Sequence, residues 1–120
     1  MLSLPPSTRV YVATAPTDMR RGFDGLFAIV RDRLTLDPYS GHLFVFRNRA
    51  GNRLKILWWD RDGLAIFYKR LEKGQFTFTI PAGATHLEMT ANDLQLILQG
   101  IDPATVKRSP RYERPAGAVP

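Results

Sequence analysis

The sequence predicts a single α+β domain in which a short strand and a helix precede a four-stranded antiparallel meander and a C-terminal helix. Three observations carry this prediction: a helical apolar period over residues 23–34, a strand-like composition over residues 42–80, and a capped apolar stretch after residue 90. The length of 120 residues and the hydrophobic content of 44% are ordinary for one globular domain.

The first elements are an arm, a strand and a helix. Residues 1–8 predict a loose arm, and residues 9–14 alternate valines with other residues as a short strand does. Thr17 or Asp18 is placed to cap the helix that follows. The helix should end before Pro38, which cannot continue it. Its apolar stripe, spaced by three and four residues, consists of Phe23, Leu26, Phe27, Val30 and Leu34.

The middle of the chain is rich in β-branched and aromatic residues and is divided by short Gly-containing segments. This pattern is typical of antiparallel hairpins, and it predicts four strands at residues 42–47, 53–60, 64–71 and 75–80. The second of these strands is apolar on both faces, which favours a central position under helices. The residues that we expect to be buried are Phe23, Leu26, Phe27, Val30, Ile56 and Trp58.

The end of the chain predicts a second helix and a tail. The segment Thr90–Asp93 opens the helix and Gly100 stops it, with Leu94, Ile97 and Leu98 on one face. Residues 104–120 are basic and rich in proline, which predicts a tail that is disordered when free. The predicted organisation is therefore an arm at 1–8, a globular domain at 9–103 and the tail at 104–120.

Composition excludes several classes of protein. The chain has no cysteine, which excludes disulfides and thiolate metal sites. It has no apolar run near the roughly 20 residues that span a bilayer, and its N-terminus does not resemble a signal peptide. We therefore expect a soluble cytoplasmic protein without a membrane partner.

The net charge of +6 is concentrated rather than spread evenly. Thirteen of the seventeen basic residues are arginines, whose planar donor fork matches phosphate oxygens and guanine edges. Residues 47–73 carry eight basic residues against three acidic ones. This basic meander predicts a DNA-binding surface made of Arg47, Arg49, Arg53, Lys55, Arg61, Lys69, Arg70 and Lys73. The alternative is a solvated hairpin whose charges only deter aggregation.

The aromatic residues of the same region have two interpretations. Trp58, Trp59, Phe67 and Tyr68 are of the type that stacks on nucleic-acid bases. Core packing is the interpretation that we favour for most of them, because they lie in the strands that should form the sheet.

The sequence contains no recognisable catalytic motif. His42 and His86 belong to no motif, and the serines lack a nucleophile-elbow setting. Asp60 and Asp62 are paired as Mg²⁺ ligands can be, but an Asp-Gly turn explains them without a metal. We therefore expect no enzyme activity, no catalytic residue, no metal and no cofactor.

Three stretches carry a resemblance to a known family: PTDMRRGFDGL at 16–26, the long run from Asp37 to Phe76, and LILQGID at 96–102. They closely resemble the TnpB accessory proteins, encoded by the second open reading frame of bacterial insertion sequences of class sixty-six. The resemblance covers roughly residues 9–103, whereas the arm and the tail follow no family pattern. The matching residues are Asp18, Met19, Arg20, Gly22, Phe23, Gly25, Gly41, Phe44, Phe46, Arg53, Lys55, Trp58, Trp59, Asp60, Gly63, Tyr68, Lys69 and Arg70.

The resemblance implies a non-catalytic role in transposition of the element, beside a separate transposase and a second small accessory protein. Two hypotheses follow. In the first, the protein contacts DNA, with the transposon ends as targets, through the basic meander. In the second, it is a protein–protein adaptor that recruits or positions the transposase without binding DNA itself, so that its basic face meets an acidic partner surface.

Overall fold

The computed structural model describes residues 4–105 and 109–115, which form one domain around a five-stranded sheet. A π-helical turn at Ile29–Arg33 directly continues the first helix. The remaining elements, in chain order, are β1 (Arg9–Ala13), α1 (Phe23–Ala28), β2 (Leu43–Arg47), β3 (Arg53–Asp60), β4 (Gly63–Arg70), β5 (His86–Thr90) and α2 (Ala91–Leu98).

The sheet is mixed, with the strand order β4-β3-β2-β1-β5. The strands β2, β3 and β4 are joined by short turns and pair antiparallel, whereas β1 pairs parallel with β2. A parallel pair needs a crossover connection, and α1 with its π-helical turn supplies it. The predicted α+β class is confirmed, although the sheet is not purely antiparallel.

Each face of the sheet carries its own hydrophobic cluster, because side chains alternate along a strand. The helix α2 covers one face, which we term the α2 face, and its cluster includes Leu54 and Ile56. The helix α1 and the π-helical turn cover the other, which we term the α1 face and which includes Leu57. The prediction that strand 53–60 is apolar on both faces and central is therefore confirmed.

The fourth predicted meander strand is wrong. Residues 75–80 are irregular and cross the α2 face of the sheet, where Phe76 and Phe78 are buried. Gly74, at φ +84°, redirects the chain after β4, and the Phe76 N–H then donates to the Gly51 carbonyl at 2.8 Å. Phenylalanines at alternate positions are equally suited to a strand or to an extended segment laid on a core, and long-range contacts select the second.

A strand that the sequence analysis missed takes the other edge of the sheet. The strand β5 pairs antiparallel with β1 over five residues, from Arg9 opposite Thr90 to Ala13 opposite His86. The second helix follows directly and confirms its prediction. The Thr90 hydroxyl accepts from the Asp93 N–H, the Asp93 carboxylate accepts from the Thr90 N–H, and Gly100 lies beyond the helix at φ +87°.

The first helix is shorter than predicted and differently capped. Its N-cap is Gly22 without a side-chain bond, so the prediction of a Thr17 or Asp18 cap is wrong. Leu26 and Val30 are buried as predicted, and so is Ile56. Phe23 is 50% exposed, contrary to the prediction, because the helix begins there and only later turns meet the sheet. Phe27 and Trp58 are half-buried.

The longest α-helix of the described chain has eight residues. Within residues 4–105 and 109–115, no helix combines the length and apolar character needed to cross a membrane.

Candidate nucleic-acid interface

The tip of the β2–β3 hairpin is an ordered turn that presents Arg49 to solvent. The Asn48 side chain accepts from the Arg53 N–H at 3.0 Å and donates to the Asn52 side chain at 2.9 Å. Gly51, at φ +79°, adopts the left-handed conformation that this turn requires. Arg49 therefore lies in an ordered turn at the tip of the hairpin and is exposed.

An open groove of about 620 Å³ separates this hairpin tip from the loop at residues 16–22. Three arginines line it, and two of them were predicted as DNA ligands from the sequence. The lining residues are Pro16, Thr17, Asp18, Met19, Arg20, Asn48, Arg49, Ala50 and Arg53.

Lys55, on β3, attaches the loop to the sheet through hydrogen bonds. Its ammonium donates to the Met19 and Arg21 carbonyls, each at 2.8 Å, and lies 4.6 Å from the centre of the Tyr68 ring. The residue is only 8% exposed. A bond from the Thr17 N–H to the Arg47 carbonyl, at 2.9 Å, provides a second attachment. Lys55 was predicted to bind DNA, but its ammonium donates to backbone carbonyls of the protein itself.

Arg20 is the arginine of the groove that the sequence analysis did not select. Its side chain is 92% exposed and forms a two-pronged ion pair with Asp18, with the shortest contact at 2.7 Å. The side-chain hydrogen bond from Arg20, together with its backbone N–H, lowers the pKa of Asp18 to about 2. Asp18 is thus ionised at neutral pH. The TDMRRG run could have pointed to Arg20. It lies far from the meander in sequence, however, so the sequence did not show that Arg20 lies beside Arg49 and Arg53.

A smaller depression of about 340 Å³ continues from the groove along the same face of the sheet. Arg53 lines both, and Tyr68, Arg70 and Glu72 complete the second. Arg53 and Arg70 lie directly opposite each other on β3 and β4. Like charges in that position are destabilising. Arg70 is paired with Glu72 at 3.0 Å, and the Arg53 guanidinium donates to the Tyr68 hydroxyl at 3.2 Å.

The other predicted ligands do not join this groove. Arg47 lies on the α2 face, where its guanidinium donates to the Phe76 carbonyl at 2.7 Å and stacks 4.0 Å above the Phe78 ring. Burial lowers the pKa of the Arg47 guanidinium from its ordinary value. Lys69 is exposed on the α2 face, opposite Leu54.

The two remaining predicted ligands lie in turns. Arg61 occupies the β3–β4 turn, about 25 Å from Arg53 at the rise of an extended strand. Lys73 is exposed in the segment that follows β4. The arginines that the fold brings together are therefore Arg20, Arg49, Arg53 and Arg70.

Candidate catalytic groups are not assembled into a site. Among the described residues, no three His, Cys, Asp or Glu side chains lie close enough to hold a metal ion. Asp60 is the last residue of β3, and Asp62 lies in the β3–β4 turn. The two histidines both pack edge-on against Tyr11, and the His42 Nδ1 accepts from the Arg9 N–H at 3.0 Å.

Part of the predicted tail contacts the domain. The Gln75 N–H donates to the Ser109 hydroxyl at 2.9 Å, and the Arg111 guanidinium donates to the Gln75 carbonyl at 3.0 Å. Lys107 and Arg108, which were among the basic residues of the tail, lie outside the described residues. The boundaries of arm, domain and tail stay a prediction.

Comparison with known proteins identifies the family. The chain is 43% identical over 103 residues to the uncharacterized protein y4jC of Sinorhizobium fredii (strain NBRC 101917 / NGR234), covering 85% of this chain and 86% of that protein. It is 41% identical over 102 residues to the uncharacterized protein y4hO of the same strain, covering 85% and 88%. No solved structure matches the chain. The family described as IS66 Orf2 like protein matches residues 8–108, and the chain belongs to that family.

Proposed function

We propose that this protein is a non-catalytic accessory factor for transposition of an insertion sequence, and that it contacts DNA through the arginine groove. Membership of the IS66 Orf2 like family supports the accessory role in transposition. The DNA contact is our extension of that role. We define the arginine groove by its four cations, which are Arg20, Arg49, Arg53 and Arg70.

The observation that carries the proposal is the opposed pair of Arg53 and Arg70. Two guanidinium groups directly opposite each other on neighbouring strands repel each other and destabilise the sheet. A phosphate placed between or above them turns that repulsion into two attractions, and a guanidinium binds phosphate with two parallel hydrogen bonds. The pair lies on a face that is open to solvent beyond α1.

The four cations differ in how available they are. Arg49 has no ion-pair partner within the part of the chain that the structure describes, and Arg53 contacts only an uncharged hydroxyl. Arg20 and Arg70 are each paired with a carboxylate. Phosphates would therefore compete with Asp18 and Glu72 for two of the four cations. A surface of this kind binds the DNA backbone, which positions a protein without reading sequence.

The test is a titration of the protein against a transposon-end duplex and a scrambled duplex over a series of salt concentrations. Each phosphate neutralised contributes about −0.9 to the slope of log affinity against log salt, so four contacts give a slope near −3.6. The variant Arg53→Gln/Arg70→Gln should flatten the slope by about 1.8 for both duplexes. It should remain folded, because it removes a repulsion.

Lys69→Gln is the matched control. It removes a positive charge from the residue next to Arg70, but on the α2 face. We expect the slope of this variant to equal that of the wild type. An unchanged slope in the double arginine variant, or a slope flatter by about 0.9 in Lys69→Gln, would refute the proposed groove.

A second candidate function is the adaptor, and one observation favours it. Phe23 and Tyr39 are 50% and 57% exposed. Tyr39 packs edge-on against Phe27 and Trp59, at ring distances of 5.3 and 5.1 Å. An exposed aromatic cluster of this kind is typical of protein–protein contacts. The adaptor predicts weak DNA binding whose salt slope is insensitive to Arg53 and Arg70, so the same titration separates the two functions.

A further inference from the structure

The ring of Tyr68 lies at the open edge of the sheet, within the smaller depression. The residue belongs to β4, the edge strand, and is 46% exposed. One face of the ring lies against the Lys55 ammonium, 4.6 Å from the ring centre, on the side of the neighbouring strand β3. Among the residues that the structure describes, no further strand lies beyond β4 and no other aromatic ring packs against Tyr68. Tyr68 also lines the smaller depression, so part of its side chain is accessible to solvent there.

The position of the ring is held from two sides. The Lys55 ammonium is itself anchored by the Met19 and Arg21 carbonyls, so it cannot move away from the ring without losing two hydrogen bonds. The Tyr68 hydroxyl accepts from the Arg53 guanidinium at 3.2 Å. An exposed aromatic side chain would ordinarily sample several rotamers, whereas this one is oriented by contacts at its face and at its hydroxyl.

Cations flank the same ring. Arg70 lies two residues along β4, on the same face of the sheet, and Arg53 lies opposite Arg70. An aromatic ring beside guanidinium groups on an open sheet is the combination that single-stranded nucleic acids require, because the cations bind the backbone and an unpaired base stacks on the ring. In a duplex the bases are stacked on each other, and their faces cannot reach a protein ring.

We infer that Tyr68 is a stacking platform for an unpaired base, so that the arginine groove takes single-stranded DNA in addition to duplex. This inference rests on the proposed DNA contact and specifies the form of DNA that the groove accepts. It assigns to Tyr68 a role that depends on the ring alone, whereas the arginines act through their charge.

The experiment compares a fluorescein-labelled oligothymidine with a duplex of the same length at one salt concentration. A stacked base contributes enough free energy that its loss weakens binding by about 5- to 150-fold. Tyr68→Leu, which keeps apolar bulk but removes the ring, should weaken oligothymidine binding within that range. It should bind duplex as Tyr68→Phe does, because both variants lose the hydroxyl that the Arg53 guanidinium contacts. Tyr68→Phe, which keeps the ring and loses the hydroxyl, should bind oligothymidine within about twofold of the wild type.

Tyr39→Leu is the matched control, because it removes an aromatic ring of similar exposure that lies away from the arginine groove. It should leave binding of both probes unchanged. An equal loss of duplex and oligothymidine binding in Tyr68→Leu would mean that the ring only supports the fold around Lys55, and would overturn the inference. An unchanged affinity for oligothymidine would overturn it as well.

Failure of the proposed DNA contact would give different results from failure of the stacking role. If the DNA contact itself is wrong, the wild-type protein binds neither probe, or binds them with a salt slope that Arg53→Gln/Arg70→Gln does not alter. If only the stacking role is wrong, the arginine variant still flattens the duplex slope while Tyr68→Leu has no selective effect on oligothymidine.

Discussion

Replacing Lys55 by methionine separates a structural role for this lysine from a role in DNA binding. Methionine keeps an unbranched apolar stem in the buried position and removes the ammonium. The lost interactions are the two bonds to the Met19 and Arg21 carbonyls and the contact with the Tyr68 ring. The loop at residues 16–22 would then be held chiefly by the bond between the Thr17 N–H and the Arg47 carbonyl.

The expected magnitude follows from these contacts. Hydrogen bonds to a charged group contribute about 1.5–3 kcal/mol each. Met19 is half-buried and Arg21 is exposed, so water can replace the ammonium at both carbonyls and each bond falls at the lower end of that range. The variant also avoids the cost of keeping an ammonium away from water. We expect the free energy of unfolding to fall by about 2 kcal/mol.

Urea denaturation measures this loss, with Lys69→Met as the control. Lys69 is exposed on the adjacent strand, and its replacement should change the free energy of unfolding by less than about 0.5 kcal/mol. Amide exchange adds a local readout, since the Thr17 and Arg21 amides should exchange faster in Lys55→Met. The DNA salt slope should stay at its wild-type value. A variant as stable as the wild type, with a slope flatter by about 0.9, would show that Lys55 binds phosphate instead.

Two further predictions concern the groove and the second helix. Glu72→Gln should raise affinity for duplex DNA by about two- to fivefold at low salt, because it releases Arg70 from a surface ion pair; weaker binding in a filter or anisotropy assay would instead show that Glu72 orients Arg70. Thr90→Ala should lower the free energy of unfolding by about 1 kcal/mol in urea, because it removes the capping box of α2, while Thr90→Ser should restore it. A loss in Thr90→Ser equal to that in Thr90→Ala would contradict the capping argument.

The sequence by itself determined the features that depend on neighbours along the chain. The apolar period at Leu26, Val30 and Leu34 indicated the first helix. The segment Thr90–Asp93 and the Gly100 stop indicated the second helix. Residues 53–60, apolar on both faces, indicated a central strand. These signals are legible because helix period, strand alternation and capping are local properties of a few adjacent residues. The family was also recognisable from the sequence alone.

Only the tertiary structure decided which strands pair and where each charge lies. The parallel pairing of β1 with β2 and the addition of β5 at the sheet edge join segments that are more than 30 and 70 residues apart, which no local pattern specifies. Residues 75–80 alternate like a strand, yet they lie across the α2 face because Phe76 and Phe78 are buried there.

The same limit applies to the candidate site. Alternation along β3 places Arg53 and Lys55 on one face of the sheet. It could not reveal that the loop at residues 16–22 covers Lys55 and leaves Arg53 open, or that the same loop brings Arg20 to the groove. Sequence reports the charge of a side chain and its face on a strand. How deeply a side chain is buried depends on which distant segment of the chain packs over it.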